Sequence, residues 1–192
     1  MLLTGTFLDE ISHDIPHQNW GPAEWEKDFQ HMKVAGIDTV VMIRSGYRKF
    51  ITYPSAYLMH FYFGLYDSGN YWDTGNLSDE TEHNRFIIDE VWKQYGNHPS
   101  FKGWYLSMEI SRKTKGAIDA FRSLGLQCKQ VSNGLPTLIS PWIDGKKAVL
   151  ATSSKLTKEQ SVGLAEHEKE WSEIFEGIKG AVDAVAFQDG HI

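Results

Sequence analysis

The stretch Phe101-Lys102-Gly103-Trp104-Tyr105-Leu106-Ser107-Met108-Glu109-Ile110 decides the fold. Read with a period of two, Gly103, Tyr105, Ser107 and Glu109 share one face, and Trp104, Leu106, Met108 and Ile110 share the other. The second set is apolar and suits a covering layer of helices. The first is small or polar and suits an enclosed lumen. A strand with those two faces belongs in a parallel α/β barrel, whose polar strand ends carry the chemistry.

The flanking sequence repeats the same unit. Upstream, apolar runs at Leu2 to Leu8, Ile37 to Ile43 and Phe61 to Tyr66 read as strands. Downstream, Pro136 to Ser140 and Val182 to Phe187 read the same way. Helical periodicity fills most of the intervals. Pro22 opens a helix bearing Trp25, Phe29 and Met32, ended by Gly36. Ser78 is placed to cap a second, with Phe86, Ile87, Val91, Trp92 and Tyr95 and a stop at Gly96-Asn97-His98-Pro99. A third carries Ala117, Phe121 and Leu124 and ends at Gly125. A fourth is announced by a capping box, Thr157 with Gln160, and its stripe is Leu164, Trp171, Phe175 and Ile178.

Alternation of this kind predicts a (β/α)8 TIM barrel, and two features mark it as incomplete. Residues 44–60 show no helical pattern, although parallel neighbours need a crossover of about a dozen residues or more, usually a helix. About six strands are present where a closed barrel needs eight. The expectation is a single domain over residues 1–192 that lacks one internal crossover helix and the last βα units. An open doubly wound sheet is the rival, and no GxGxxG or P-loop supports its usual nucleotide chemistry.

Composition narrows the function. The chain has 192 residues, 41% hydrophobic and 23% charged, enough apolar material for one core. Its 19 basic and 25 acidic residues leave a net charge of −6, and no Lys/Arg run is present to grip a phosphate backbone. Nucleic acid is therefore excluded as an expected partner. Membrane insertion is excluded too, because no apolar run nears the roughly 18 residues that a span requires. Cys128 is the lone cysteine, so neither a disulfide framework nor a Cys-rich zinc site can form, and its helical position gives it a structural role. No secretory leader is visible, which reads as cytoplasmic, or as secreted or periplasmic if a leader was trimmed. Aromatic residues reach 13%, with 7 Trp and 8 Tyr, many in loops where flat amphipathic ligands would be held.

Candidate site residues follow from the strand ends. Glu109 crowns the inner face of the fourth strand, where partial desolvation would raise a carboxyl as a general acid requires. Its structural alternative is an ion pair with Arg44 or Arg112. Asp67 opens the Tyr66-Asp67-Ser68-Gly69-Asn70-Tyr71-Trp72 loop, as a second carboxylate, a hydroxyl holder or simply a turn former. Of adjacent Asp9 and Glu10 only one can face inward, and Glu10 is taken as a substrate contact. Arg44 and Tyr47, beside Gly46, are placed to grip hydroxyls or a carboxylate. Tyr66 and Tyr105 add polar rings, while Trp20, Tyr71, Trp72 and Trp142 are stacking candidates. Parity with Ala184 and Ala186 turns Gln188 inward, and Asp189 follows it. No metal site is expected, since Pro16 breaks any helix that would align His13 and His17. No cofactor motif and no G-x-S-x-G elbow is present.

Six stretches in order together resemble one family. They are Leu3-Thr4-Gly5-Thr6-Phe7, Gly36-Ile37-Asp38-Thr39-Val40, Phe63-Gly64-Leu65-Tyr66, Gly103 to Ile110, Leu138-Ile139-Ser140-Pro141 and Phe187-Gln188-Asp189-Gly190. The family is a bacterial one of TIM-barrel glycoside hydrolases, inferred as such from fold and still catalogued as a domain of unknown function. The resemblance implies a helix before the Phe61 strand and further strands beyond Gly190. It also implies similarity to retaining barrels in which a fourth-strand Glu is the acid/base and a seventh-strand Glu the nucleophile. Glu109 matches the first role, and the second residue would lie beyond Ile192. The expected function is carbohydrate hydrolysis by carboxylate acid/base catalysis. Alternatives are a metal-assisted sugar isomerase or epimerase using Asp67, Asp189 and His191, or a non-catalytic carbohydrate-binding barrel.

Overall fold

The computed structural model describes residues 4–9, 20–45, 59–69, 71, 77–110, 114–142 and 163–188. Six strands, β1 (Gly5–Leu8), β2 (Thr39–Met42), β3 (His60–Gly64), β4 (Phe101–Tyr105), β5 (Thr137–Ile139) and β6 (Ala184–Val185), form one sheet in chain order. Every neighbouring pair is parallel. Four helices alternate with them: α1 (Pro22–Val34), α2 (Ser78–Tyr95), α3 (Ala117–Val131) and α4 (Leu164–Ile178). The fold is an α/β half-barrel. None of the helices described is long and apolar enough to cross a membrane.

The sheet curls tightly. Phe7 of β1 and Tyr105 of β4 bring their ring centroids to 5.5 Å, edge to face, although β2 and β3 lie between their strands. Three steps across a flat sheet would separate those strands by about 14 Å. The contact therefore spans the concave side. On the convex side Trp104, Leu106, Met108 and Ile110 are buried with Ile87, Ile88, Phe121, Leu124, Trp171 and Ile178 of the helix layer. A second cluster, Leu8, Trp25, Phe29, Val40 and Met59, seats α1 on β1 and β2. The two faces read from residues 101–110 are the two faces of the sheet.

Several boundaries depart from the sequence reading. β4 keeps a regular ladder only to Tyr105, yet residues 106–110 stay beside the β5 segment through Leu106 N–H to Leu138 O and Trp142 N–H to Ile110 O, each 2.9 Å. α3 does not stop at Gly125 but runs through it to Val131. A Cβ at Gly125 would lie 2.3 Å from the Ala181 carbonyl oxygen, so this glycine serves close packing rather than termination. Ser78 is the first residue of α2, with Leu77 at the cap position and no side-chain cap bond. Phe86 is 72% exposed and Leu164 85%, so the buried stripes pass through Ile87, Ile88 and Val91 in α2 and through Trp171, Ile174 and Ile178 in α4. Gly36, at φ +90°, does end α1. The expected missing crossover falls on 46–58 and the Thr157/Gln160 capping box on 143–162, both outside the described residues.

Candidate active site

The carboxyl ends of β2, β3 and β4 bring three ionisable side chains together. Arg44 follows β2, Asp67 follows β3, and Glu109 stands at the far end of the segment that extends β4. Arg44 Nη1 approaches Asp67 Oδ2 to 3.7 Å, a loose pair with Asp67 almost fully enclosed. Arg44 thus pairs with Asp67 rather than with Glu109. Among the described residues no cation forms an ion pair with Glu109, which is half-buried. Arg112, the other expected partner, lies outside the described residues.

The fold disfavours the charge of Asp67. Burial, opposed by the Gly69 N–H and the Arg44 charge and reinforced by Glu80 and Glu109, pushes its carboxyl up to about 6. Its Oδ1 accepts the Gly69 N–H at 2.9 Å, which closes a tight turn at the start of the loop. An Asx turn of this type was one of the sequence alternatives, and here it coexists with electrostatic coupling to Glu109.

Two residues that the sequence reading passed over build this loop. Glu80 and Asn84, one turn apart in α2, are both buried. Asn84 acts like a strand edge: its Oδ1 accepts the Tyr66 N–H at 2.9 Å and its Nδ2 donates to the Tyr66 carbonyl at 2.9 Å. Glu80 accepts from both the N–H and the hydroxyl of Ser68. Polar residues at i and i+4 inside an otherwise apolar stripe were the available signal, because such groups persist in a core only when hydrogen-bonded.

Two tyrosines wall the group. The Tyr71 hydroxyl accepts the Glu109 N–H at 2.9 Å, and its ring is buried rather than presented for stacking. Tyr105 is also buried, with Ser140 beside its hydroxyl. Burial, with the Asp67 and Glu109 charges, raises both phenols well above the ordinary tyrosine range, so both stay protonated. Ser140 donates in turn to the Ala186 carbonyl at 2.6 Å, which links the β5 and β6 ends.

The remaining candidates divide by position. Gln188 lies beside the β5 end, its Nε2 donating to the Ser140 carbonyl at 2.7 Å and its N–H to Pro141 at 2.9 Å. Trp142 bridges to Gln188 in parallel and buries an indole N–H that has no acceptor among the described residues. Tyr66 turns the other way, its ring 6.1 Å from His83 of α2, so it packs on the helix layer. Glu10, Tyr47, Trp72, Asp189 and His191 lie outside the described residues, as do His13 and His17. Cys128 is fully enclosed in α3, in keeping with a structural role. No cluster of three or more His, Cys, Asp or Glu suited to a metal occurs among the described residues.

A curled half-barrel of six parallel strands with an acidic group at its strand ends defines a class: an α/β protein with a polar mouth. Comparison with known proteins then gives the family. Residues 3–192 match the family described as Domain of unknown function (DUF4434), and the chain belongs to it. A solved structure from Bacteroides thetaiotaomicron VPI-5482, described as a putative alpha-L-fucosidase, is similar at 65% identity with a TM-score of 0.86. The likeness covers 99% of this chain and 67% of that one. Two structures of a GH2 beta-galacturonidase from Eisenbergiella tayi, with glycerol or galacturonate bound, match at 13% and 12% identity with TM-scores of 0.52 and 0.53. They cover 95% and 97% of this chain and 34% and 43% of theirs, a likeness of fold alone. No curated protein matches the chain.

Proposed function

We propose that residues 1–192 form part of a single (β/α)8-barrel domain that hydrolyses glycosides by carboxylate acid/base catalysis. Glu109 protonates the departing glycosidic oxygen, and Asp67 acts as the second carboxylate of the site. The observation that carries this reading is an enclosed Asp67 carboxyl, raised to about 6, in electrostatic reach of Glu109 on the neighbouring strand end. A base is most effective when it titrates near the working pH, and Asp67 is tuned in that direction. Near neutrality it is mostly ionised and ready to take a proton from water.

Arg44, Tyr105 and Gln188 would orient sugar hydroxyls, with Glu10 and Asp189 joining from the adjoining loops. Trp142 and Trp72 would stack on ring faces. The separation of the two reacting carboxyl groups would set the stereochemistry, about 5–5.5 Å for retention and about 6.5–9.5 Å for inversion.

The relative that is 65% identical makes an α-L-fucoside the first substrate to try. The test is a panel of 4-nitrophenyl glycosides headed by the α-L-fucoside, run on the native protein and on Glu109→Gln. Native turnover that falls by about 10²–10⁴ in the variant, with sugar affinity kept, is expected from loss of a general acid. Equal turnover in both proteins removes Glu109 from the chemistry. Sugar binding without turnover in either favours the carbohydrate-binding alternative.

A further inference from the structure

We propose that Tyr71 is a positioning residue that ties the loop bearing Asp67 to the backbone of Glu109, so that the two carboxyl groups are placed as one unit. The proposal rests on the carboxylate reading above and deepens it.

Beyond Tyr105 the β4 segment leaves its regular ladder, and the Glu109 N–H is taken by the Tyr71 hydroxyl at 2.9 Å. The same oxygen stands 3.5 Å from the Glu109 carbonyl, so both faces of this peptide position meet one phenol. Thirty-eight residues of chain separate the two partners, which makes the bond a cross-link between loops rather than a local turn. Tyr71 is 3% exposed and packed in the main core with Met108 and Ile110, so its ring has a fixed seat from which to hold the backbone. A rigid aromatic ring with few rotatable bonds transmits position well, because little freedom remains to absorb a displacement.

The Asp67 end is equally fixed. Asp67 lies four positions before Tyr71, and Glu80 and Asn84 of α2 anchor Tyr66 and Ser68 on either side of it. A displacement of Glu109 at the mouth would therefore pull on Tyr71 and reach the turn closed by Asp67 and Gly69. Both groups also lie within electrostatic reach of Tyr71. Misplacement of a reacting group by about 1 Å is enough to reduce turnover about a hundred-fold, so a shared tether has a direct functional consequence.

The test is Tyr71→Phe in the intact chain, which keeps the ring and removes the hydroxyl. Amide hydrogen exchange is followed at Glu109, at Gly69, and at Leu106 as a control bonded to Leu138. The proposal expects exchange to quicken by about ten-fold or more at Glu109 and to quicken at Gly69 also, with Leu106 unchanged. On 4-nitrophenyl α-L-fucoside, or whichever panel glycoside is cleaved, kcat falls about ten-fold or more and KM stays within about two-fold. Unchanged exchange at Gly69 overturns the coupling, whatever happens to activity. Quickened exchange at both sites with native kcat overturns the positioning role. Quickened exchange at both sites in a protein that cleaves no glycoside upholds the coupling and removes the glycosidase reading instead. Tyr71→Leu separates ring from hydroxyl: it should lower the melting temperature well below that of Tyr71→Phe.

Discussion

Replacing Asp67 by Asn should make the protein more stable at neutral pH, with a gain that builds up as pH rises from the ordinary aspartate range to about 6. The folded protein holds the Asp67 proton to about pH 6, whereas an ordinary aspartate releases it near 3.8. A carboxyl with a raised value binds more protons folded than unfolded, so stability falls as pH rises between those two values. At about 1.36 kcal/mol per pH unit, the interval of about 2.2 corresponds to about 3 kcal/mol at pH 8. The weak attraction of Arg44 at 3.7 Å is already included in that position of the titration. An asparagine Oδ1 still accepts the Gly69 N–H, so the turn survives while the desolvated charge disappears. Urea unfolding followed by tryptophan fluorescence from about pH 3.5 to 8 gives the comparison. The expected result is equal stability at the acid end, with the variant gaining about 2–3 kcal/mol by pH 8. A variant less stable than native at pH 8, or a difference that does not change with pH, would refute the claim that Asp67 is a strained, enclosed charge. The gain would be the reverse side of a functional cost, since active sites commonly keep groups that folding alone would discard.

Two further outcomes test the scaffold. Gly125→Ala raises helix propensity by about 1 kcal/mol, yet it should destabilise by about 1–3 kcal/mol net, because its Cβ would meet the Ala181 carbonyl oxygen at 2.3 Å; a more stable variant in thermal melts would contradict the packing described. Asp183 has its carboxyl lowered on balance: burial opposes the charge, but the Lys129 ammonium and the Thr137 N–H and hydroxyl outweigh it. Its contribution is present above the ordinary aspartate range and lost as pH falls through its lower folded value. Asp183→Asn should therefore weaken the fold at pH 7 by a modest amount, since the carboxylate is 41% exposed, and should differ little from native near pH 2–3, as acid titration by circular dichroism would show.

Much of the architecture was legible because its signals are local. The split of residues 101–110 into an apolar and a polar face is a period-two pattern, and it correctly assigns Trp104, Leu106, Met108 and Ile110 to the helix layer. Gly36 shows its left-handed conformation through residue type alone. What escaped depends on partners distant in the chain. Gly125 looks like a helix stop, and only the approach of Ala181 reveals it as a packing position. Tyr71 looks like a stacking ring until its hydroxyl is seen on the Glu109 N–H. Glu80 and Asn84 read as ordinary helix polar residues, because the loop they bind belongs to the preceding strand.

Asp67 is placed to titrate near the working pH of the reaction, and the dependence of kcat/KM on pH for the glycoside that is cleaved tests its role most directly. An acid limb with its midpoint near 6, where Asp67 gains its proton, is the expected profile. Turnover that stays level from about pH 5 to 7 would contradict it, because protonation of Asp67 would then be irrelevant to the reaction.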